Sequence, residues 1–485
     1  MRNKTWSKTF LGLALAWLMV GLSSTNLFAA SEATTNPREP SVTAKANDSP
    51  GASGMVSLIE TAPELQFILR RYPSFYGDPN TVHGDLFTRS QLFGDVGGLR
   101  NKLVERGIYL DVGVTQFFGG NATGGKSNGV LRFNGSSDYW LTLDTGKAGL
   151  WPGGAIITHA ETSWNAADSI SQDVGSLLPA SMDSVLPVPG ESVTALPDLY
   201  LAQGVPGNIL LIAGKINLLA LADLNPFANN ERFQFAYTGL YVNPVLGSFA
   251  PLSSLAAGAI WTPTKEHLLL GAAFQGDGNA KVAGFDNFNG NYTYAVEYQY
   301  SPTILGRPGT YLVLAAYSSK DLNNFAISEQ QLIGQAIGLV PVSTKDSDYT
   351  VIGNFSQYLF VKGPNDRKGQ PPIGIGLFGR AGWAPKGRNV IDQFYSAGIG
   401  GFGMLIPGRD HDNWGVGWAG THISSDLRGI LGLRRLASFE HALEVFYNVE
   451  VTPAVHVTVN TQVVDSVVKS RDTAVATGAR LQVMF

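Results

Sequence analysis

The chain has no cysteine in its 485 residues, which removes disulfides, thiolate metal sites and cysteine nucleophiles together. Beyond the first thirty residues there is no apolar run approaching the ~20 residues that a membrane-crossing helix requires. Charge is scarce as well: Asp, Glu, Lys and Arg make up 15% of the chain and the formal net charge is −4. So mild an acidic balance, spread along the sequence, excludes the basic footprint of a nucleic-acid binder. The seven histidines (His83, His159, His267, His411, His422, His441 and His456) form no His-Glu-x-x-His pair, and no serine sits in a Gly-x-Ser-x-Gly elbow. Those motifs carry the commonest metal-assisted and serine-dependent hydrolyses. No cofactor and no metal are expected.

What the chain does have, from Gly107 to Phe485, is strict alternation of apolar and polar residues in runs of about ten. In Tyr292 to Tyr300, Tyr292, Tyr294, Val296, Tyr298 and Tyr300 share one face of a strand, and Thr293, Ala295, Glu297 and Gln299 share the other. A barrel in lipid needs this pattern, with one face toward hydrocarbon, the other toward a polar lumen, and closure that leaves no backbone group unpaired. The last strand repeats it. Thr477, Ala479, Leu481, Val483 and Phe485 alternate with Gly478, Arg480, Gln482 and Met484, and the terminal aromatic suits the interfacial girdle. The expected fold is therefore all-β, a transmembrane antiparallel β-barrel of sixteen strands with a short helical or disordered periplasmic extension at the N-terminus.

The first thirty residues carry Arg2, Lys4 and Lys8, an apolar stretch from Phe10 to Leu22, and small or polar residues to Ala29 and Ala30. This reads as a secretory signal cleaved near residue 30, with a retained anchor helix as the alternative. Residues 31–90 read as a flexible extension containing one short helix, residues 91–106 as a periplasmic helix leading into the barrel, and residues 107–485 as the barrel.

Seventeen strand-like runs are legible, one too many for the even count of single-chain bacterial barrels. Removing Phe235 to Val242 puts the short turns at Gly204 to Gly207, Pro263 to Glu266 and Thr452 to Pro453 on one side, with both chain ends. The long outer loops become Asn165 to Leu196, Asn217 to Ser254, Gly276 to Asn291, Ser319 to Asp348 and Ser424 to Glu440. Of these, Asn217 to Ser254 is expected to fold inward and narrow the pore.

Two nucleotide motifs match by letter and fail by context. Gly120 to Ser127 fits a phosphate loop but no helix follows to supply N–H donors. Gly398 to Gly403 fits a dinucleotide fingerprint but lies inside an alternating run, where glycine more simply relieves crowding. Asp410-His411-Asp412 falls in a short turn and is read as structural.

The polar strand faces hold Asp138, Trp140 and Asp144; His159 and Glu161; Lys215 and Asn217; Glu297 and Gln299; Arg380; Glu444, Asn448 and Glu450; His456, Asn460 and Gln462; and Arg480 and Gln482. Both signs of charge occur, mixed with amides and an aromatic, whereas an ion-selective pore is expected to carry a ring of one sign. Such groups can donate to and accept from hydroxyls, and an aromatic face can cover a sugar ring. Lys215, Arg380, Glu161, Glu297 and Trp140 are the expected sugar contacts. His159, Asn217, Glu444, Asn460 and Arg480 complete the expected pore lining.

The segment Gly94-Asp-Val-Gly-Gly-Leu-Arg-Asn-Lys-Leu103, followed by Glu105 to Ile108, resembles the leading motif of the carbohydrate-selective porins of the porin B type. So do Trp151 to Gly154, Ala213 to Asn217, Gly379 to Pro385, Leu405 to Arg409 and Glu444 to Pro453. Val96 stands where that family has tryptophan, and no acidic residue follows Lys215 closely. The resemblance implies a sixteen-stranded outer-membrane channel for passive diffusion of mono- or oligosaccharides. It also implies outer-membrane lipid and the barrel assembly machinery as partners, the latter through the strand ending at Phe485, and allows a homo-oligomer. A general ion or small-solute porin, and an outer-membrane hydrolase using His159 and His456, remain as alternative readings.

Overall fold

The computed structural model describes residues 82–285, 290–326, 331, 344–363, 371–430 and 435–485. The signal peptide and nearly all of the extension expected at 31–90 lie outside these residues. Among the described residues sixteen long antiparallel strands close on themselves. They are β1 (Ile108–Thr123), β2 (Leu131–Asp144), β3 (Gly154–Trp164), β4 (Thr194–Val205), β5 (Ile209–Asn217), β6 (Ser253–Thr264), β7 (His267–Gln275) and β8 (Tyr292–Tyr300). The second half is β9 (Arg307–Ser318), β10 (Asp348–Val361), β11 (Gly374–Trp383), β12 (Ile391–Phe402), β13 (Asn413–Ile423), β14 (Phe439–Thr452), β15 (Val455–Asp465) and β16 (Ala474–Met484). Each pairs with its chain neighbours, and β1 also pairs with β16 from Gly113↔Met484 to Thr123↔Val475, so the sheet has no open edge.

The strands start near the expected positions. The largest difference is β2, which begins at Leu131 because Asn134 and Gly135 pair with Phe117 and Gln116 rather than forming a turn. Phe235 to Val242 is not a strand: it contains a short helix, Thr238–Tyr241, and is buried throughout.

Alternation sets the two faces. Tyr294, Val296, Tyr298 and Tyr300 are exposed on the outer wall of β8, while Thr293, Ala295 and Glu297 are buried on the inner one. On β16, Leu481 faces out and Arg480, Gln482 and Met484 face in. Lipid accounts for the first set, since apolar side chains there lose nothing by being uncovered in hydrocarbon.

The expectation of a polar lumen holds for only part of the wall. From β5 to β10 the inner face carries Leu210, Ile212, Ile260, Leu268, Leu270, Leu312, Leu314 and Ile352, which pack with Leu218, Leu221 and Leu246 of the loop between β5 and β6. That loop lies inside the barrel and covers them, so this half of the interior is a hydrophobic core rather than a wetted surface.

At the mouth of the barrel where the ends of β1 and β16 meet, a seven-residue helix, α1 (Leu99–Glu105), precedes β1. Its Arg100 donates from Nη2 to the carbonyl of Phe485 at 2.9 Å and from Nη1 to the carbonyl of Leu110 at 3.1 Å. The Leu92 amide donates to Met484 and the Phe485 amide to Val112. Phe93 packs on the Phe485 ring with centroids 5.2 Å apart. The leading motif thus clasps the seam where first and last strands meet.

Candidate functional site

Two loops enter the lumen. The loop expected at Asn217 to Ser254 does so, as residues 218–252; residues 165–193 do so as well. Glycine prepares the wall for the first of them. A Cβ on Gly415 would lie 2.7 Å from the Phe235 ring, and one on Gly417 would lie 2.8 Å from Leu240. Phe235 and Leu240 can therefore rest directly on the backbone of β13. On β12, Gly400 belongs to the same bed, where a Cβ would meet Phe227 at 3.0 Å, while Gly398 and Gly401 make room for Phe378 and Trp414 of the neighbouring strands. The glycine run is packing, as its strand context indicated.

Polar wall residues then fasten the loops. Arg380 on β11 is fully buried. Its Nε meets Asp223 Oδ2 at 2.8 Å, and its Nη groups donate to the carbonyls of Leu240 at 3.0 Å and Ala228 at 2.6 Å. Glu444 on β14 accepts from the backbone amides of Ala236 at 2.9 Å and Tyr237 at 2.8 Å, and from Asn460 Nδ2 at 2.9 Å. One turn along the same face, Glu440 accepts from the amides of Leu177 at 2.6 Å and Leu178 at 3.1 Å in the other loop. Arg480 donates to the carbonyl of Gln234. These groups neutralise backbone dipoles that would otherwise be buried without partners.

The remaining polar surface gathers on β2, β3 and β4. Asp138 faces Glu161, and Trp140 faces His159, as direct cross-strand pairs. His159 Nε2 is 2.9 Å from Asp138 Oδ1 and its Nδ1 is 3.5 Å from Asp198 Oδ2. The imidazole stacks on Trp140 at 5.1 Å and 10°. Arg232, from the β5–β6 loop, donates to both oxygens of Asp138 at 3.0 and 2.5 Å, pairs with Glu231, and lies 5.6 Å from the Trp140 ring centre. Burial disfavours the Arg232 charge, but Asp138, Glu231 and Glu161 outweigh it and push its pKa well above the ordinary value. In the β3–β4 loop burial pushes Asp183 up to about 6, with Arg480 opposing.

The sequence placed Trp140, His159, Glu161, Glu297, Arg380, Glu444, Asn460 and Arg480 on the inner face, and all are there. Glu297 is buried between Leu270 and Leu314, its cross-strand neighbours, away from the charged cluster. Lys215 is a correction. It pairs with Leu199 and Leu255 on the outer face, and its Nζ donates to the carbonyls of Ala280 at 2.8 Å and Val282. Asn217 has the same parity, and its backbone amide donates to Asp198 Oδ1 at 2.7 Å. The β7–β8 loop lies over this stretch of outer wall and supplies the carbonyls that solvate the ammonium.

Arg232, Glu231, Asp183, Asp198, Asp223 and Glu440 were not anticipated. The amide-rich run Asn225 to Arg232, charged at its end and set inside an otherwise apolar segment, was the one local signal for the loop residues. Asp410 and Asp412 are consumed in the β12–β13 turn, by Lys362 at 2.5 Å for the first and by Arg409 and Tyr447 for the second.

The model of the carbohydrate-selective porin, OprB family, matches residues 138–485. The chain belongs to that family. Among solved structures, the high-pH structure of Pseudomonas putida OprB is 21% identical with a TM-score of 0.70, covering 82% of this chain and 98% of that one. The outer-membrane channel DcaP of Acinetobacter baumannii is 10% identical with a TM-score of 0.45, covering 78% of this chain and 97% of that one. No curated protein matches at a significant level. This porin is thus an outer-membrane channel for carbohydrates, built as a closed barrel, and nothing favours a general solute pore or an enzyme over that reading.

Proposed function

We propose that sugars cross this porin by passive diffusion between the β2–β4 wall and the β5–β6 loop, past Trp140, His159, Glu161 and Arg232. The observation that carries this is the charged and aromatic cluster where Arg232 meets Asp138 and Trp140. Here an indole, an imidazole and both signs of charge meet, and the Arg232–Asp138 pair also ties the β5–β6 loop to the β2 wall. Carboxylate, imidazole and guanidinium groups exchange hydrogen bonds with hydroxyls, and the indole edge offers an apolar surface. Arg380, Glu444, Asn460 and Arg480 act indirectly in this reading, by fixing the loops that set the bore, and no catalytic step is involved.

The same reading takes the protein as exported in a Gram-negative bacterium by a leader removed near Ala30. Phe485 and the strand before it would present the barrel to its assembly machinery, and the finished barrel could associate with further copies.

Planar-bilayer recording with a panel of sugars tests the route. Sugar is expected to reduce the current at concentrations on the order of millimolar, and Trp140→Ala to weaken that block about tenfold, equivalent to 1.4 kcal/mol. A current indifferent to every sugar, or a block untouched by loss of Trp140, would remove the proposed path.

A further inference from the structure

We propose that Asp138, His159 and Glu161 form a binding site for a divalent transition-metal ion in the pore wall, beyond the passage of sugars. One ligand atom from each residue lies within 4.8 Å of the other two. Strand register brings them together, since Asp138 and Glu161 are directly opposed and His159 is two residues from Glu161 on the same face. Two ligands of one tetrahedral zinc ion, each about 2.0–2.2 Å from it, stand roughly 3.4 Å apart. His159 Nε2 and Asp138 Oδ1 now share a hydrogen bond at 2.9 Å, so an ion takes the place of that proton with a small widening of the pair.

Three further features point to a ligand. Metal-binding histidines give their second ring nitrogen to a carboxylate that fixes tautomer and orientation; here Asp198 Oδ2 stands 3.5 Å from His159 Nδ1. Trp140, stacked on the imidazole, holds the plane of the ring. Glu161 is only 3% exposed and accepts no hydrogen bond from a described residue, having only the nearby charges of Arg232 and His159 to set against the cost of its burial. Asp183 and Glu231 add negative charge nearby, against Arg232 and Arg480. One imidazole with two carboxylates suits Zn²⁺ or Mn²⁺ better than Ca²⁺, which gains little from nitrogen. Arg232 donates to both oxygens of Asp138, so the guanidinium must turn aside for the ion to enter, and this competition lowers the ion's affinity.

The test is zinc sulfate added to the full-length porin in planar bilayers, with sugar block measured separately in chelator so that the two results stand apart. Wild-type conductance should fall at micromolar Zn²⁺, with Ca²⁺ at least tenfold weaker. His159→Gln and Glu161→Gln should each weaken the zinc effect tenfold or more, Arg232→Gln should strengthen it, and His411→Gln, on an exposed turn, should leave it unchanged. Native heat-dependent migration on gels confirms folding of each variant, and isothermal titration of wild type with Zn²⁺ in detergent supplies a second readout. Wild type insensitive to zinc by both methods, equal block by calcium, or undiminished block in a folded His159→Gln or Glu161→Gln porin would overturn the site.

Discussion

On the inner wall from β5 to β9, Leu210, Ile260, Leu270 and Leu314 meet Leu218, Leu221 and Leu246 of the β5–β6 loop. From β11 to β16, corresponding inward positions carry Arg380, Glu440, Glu444 and Arg480, which seize the same loop and its neighbour by backbone groups. One loop is therefore held by unlike forces on its two sides. The apolar side is non-directional and tolerates exchange of one side chain for another of similar volume. The polar side is directional, and losing one partner strands the other in a place without water. The first gives the loop its burial and the second gives it its position.

The severest way to break this contrast is Arg380→Met. It leaves Asp223 buried without its counter-ion, a change that costs roughly 3–5 kcal/mol. The expected result is a lower urea midpoint together with a larger, noisier single-channel conductance as the loop loosens. Leu314→Ala should cost roughly 2–5 kcal/mol through the cavity it leaves, with conductance and ion preference unchanged. If it altered conductance as Arg380→Met does, the two sides would not differ in kind.

The smallest effect is on pH dependence. Asp183, raised by burial to about 6, is neutral at pH 5 and charged at pH 7. Reversal potentials in a KCl gradient should therefore show cation preference growing over that interval, and Asp183→Asn should flatten the change. The folded value lies above that of an ordinary aspartate, so stability from this group is full below about pH 4 and is lost as pH rises through 6.

The barrel was readable because lipid enforces alternation residue by residue, and sequence alone recovered the strand count, the short turns and the loop that folds inward. Lys215 was misread where the rule lost its contrast. In β5, Leu210, Leu211, Ile212 and Ala213 make both faces apolar, so the charge itself became the only guide to the lumen. Its partners, the carbonyls of Ala280 and Val282, come from a loop more than sixty residues later. Arg380 and Glu444 were placed on the correct face but given the wrong occupants, because Leu240 and Ala236 are 140 and 208 residues away. Alternation tells which way a side chain points, and it carries no information on what arrives there.

The clasp between α1 and the last strand bears on how the molecule is made. Arg100 and Phe485 are separated by 385 residues, with the whole barrel between them. Every other pair joins strands that are consecutive in the chain, but the join between β1 and β16 must wait for the last strand. Until then both margins of the sheet carry unmatched amides and carbonyls, and the unfinished ribbon must be shielded from its own kind. In the finished barrel the Arg100 side chain on the helix beside β1 takes the last carbonyl and so marks the closed seam.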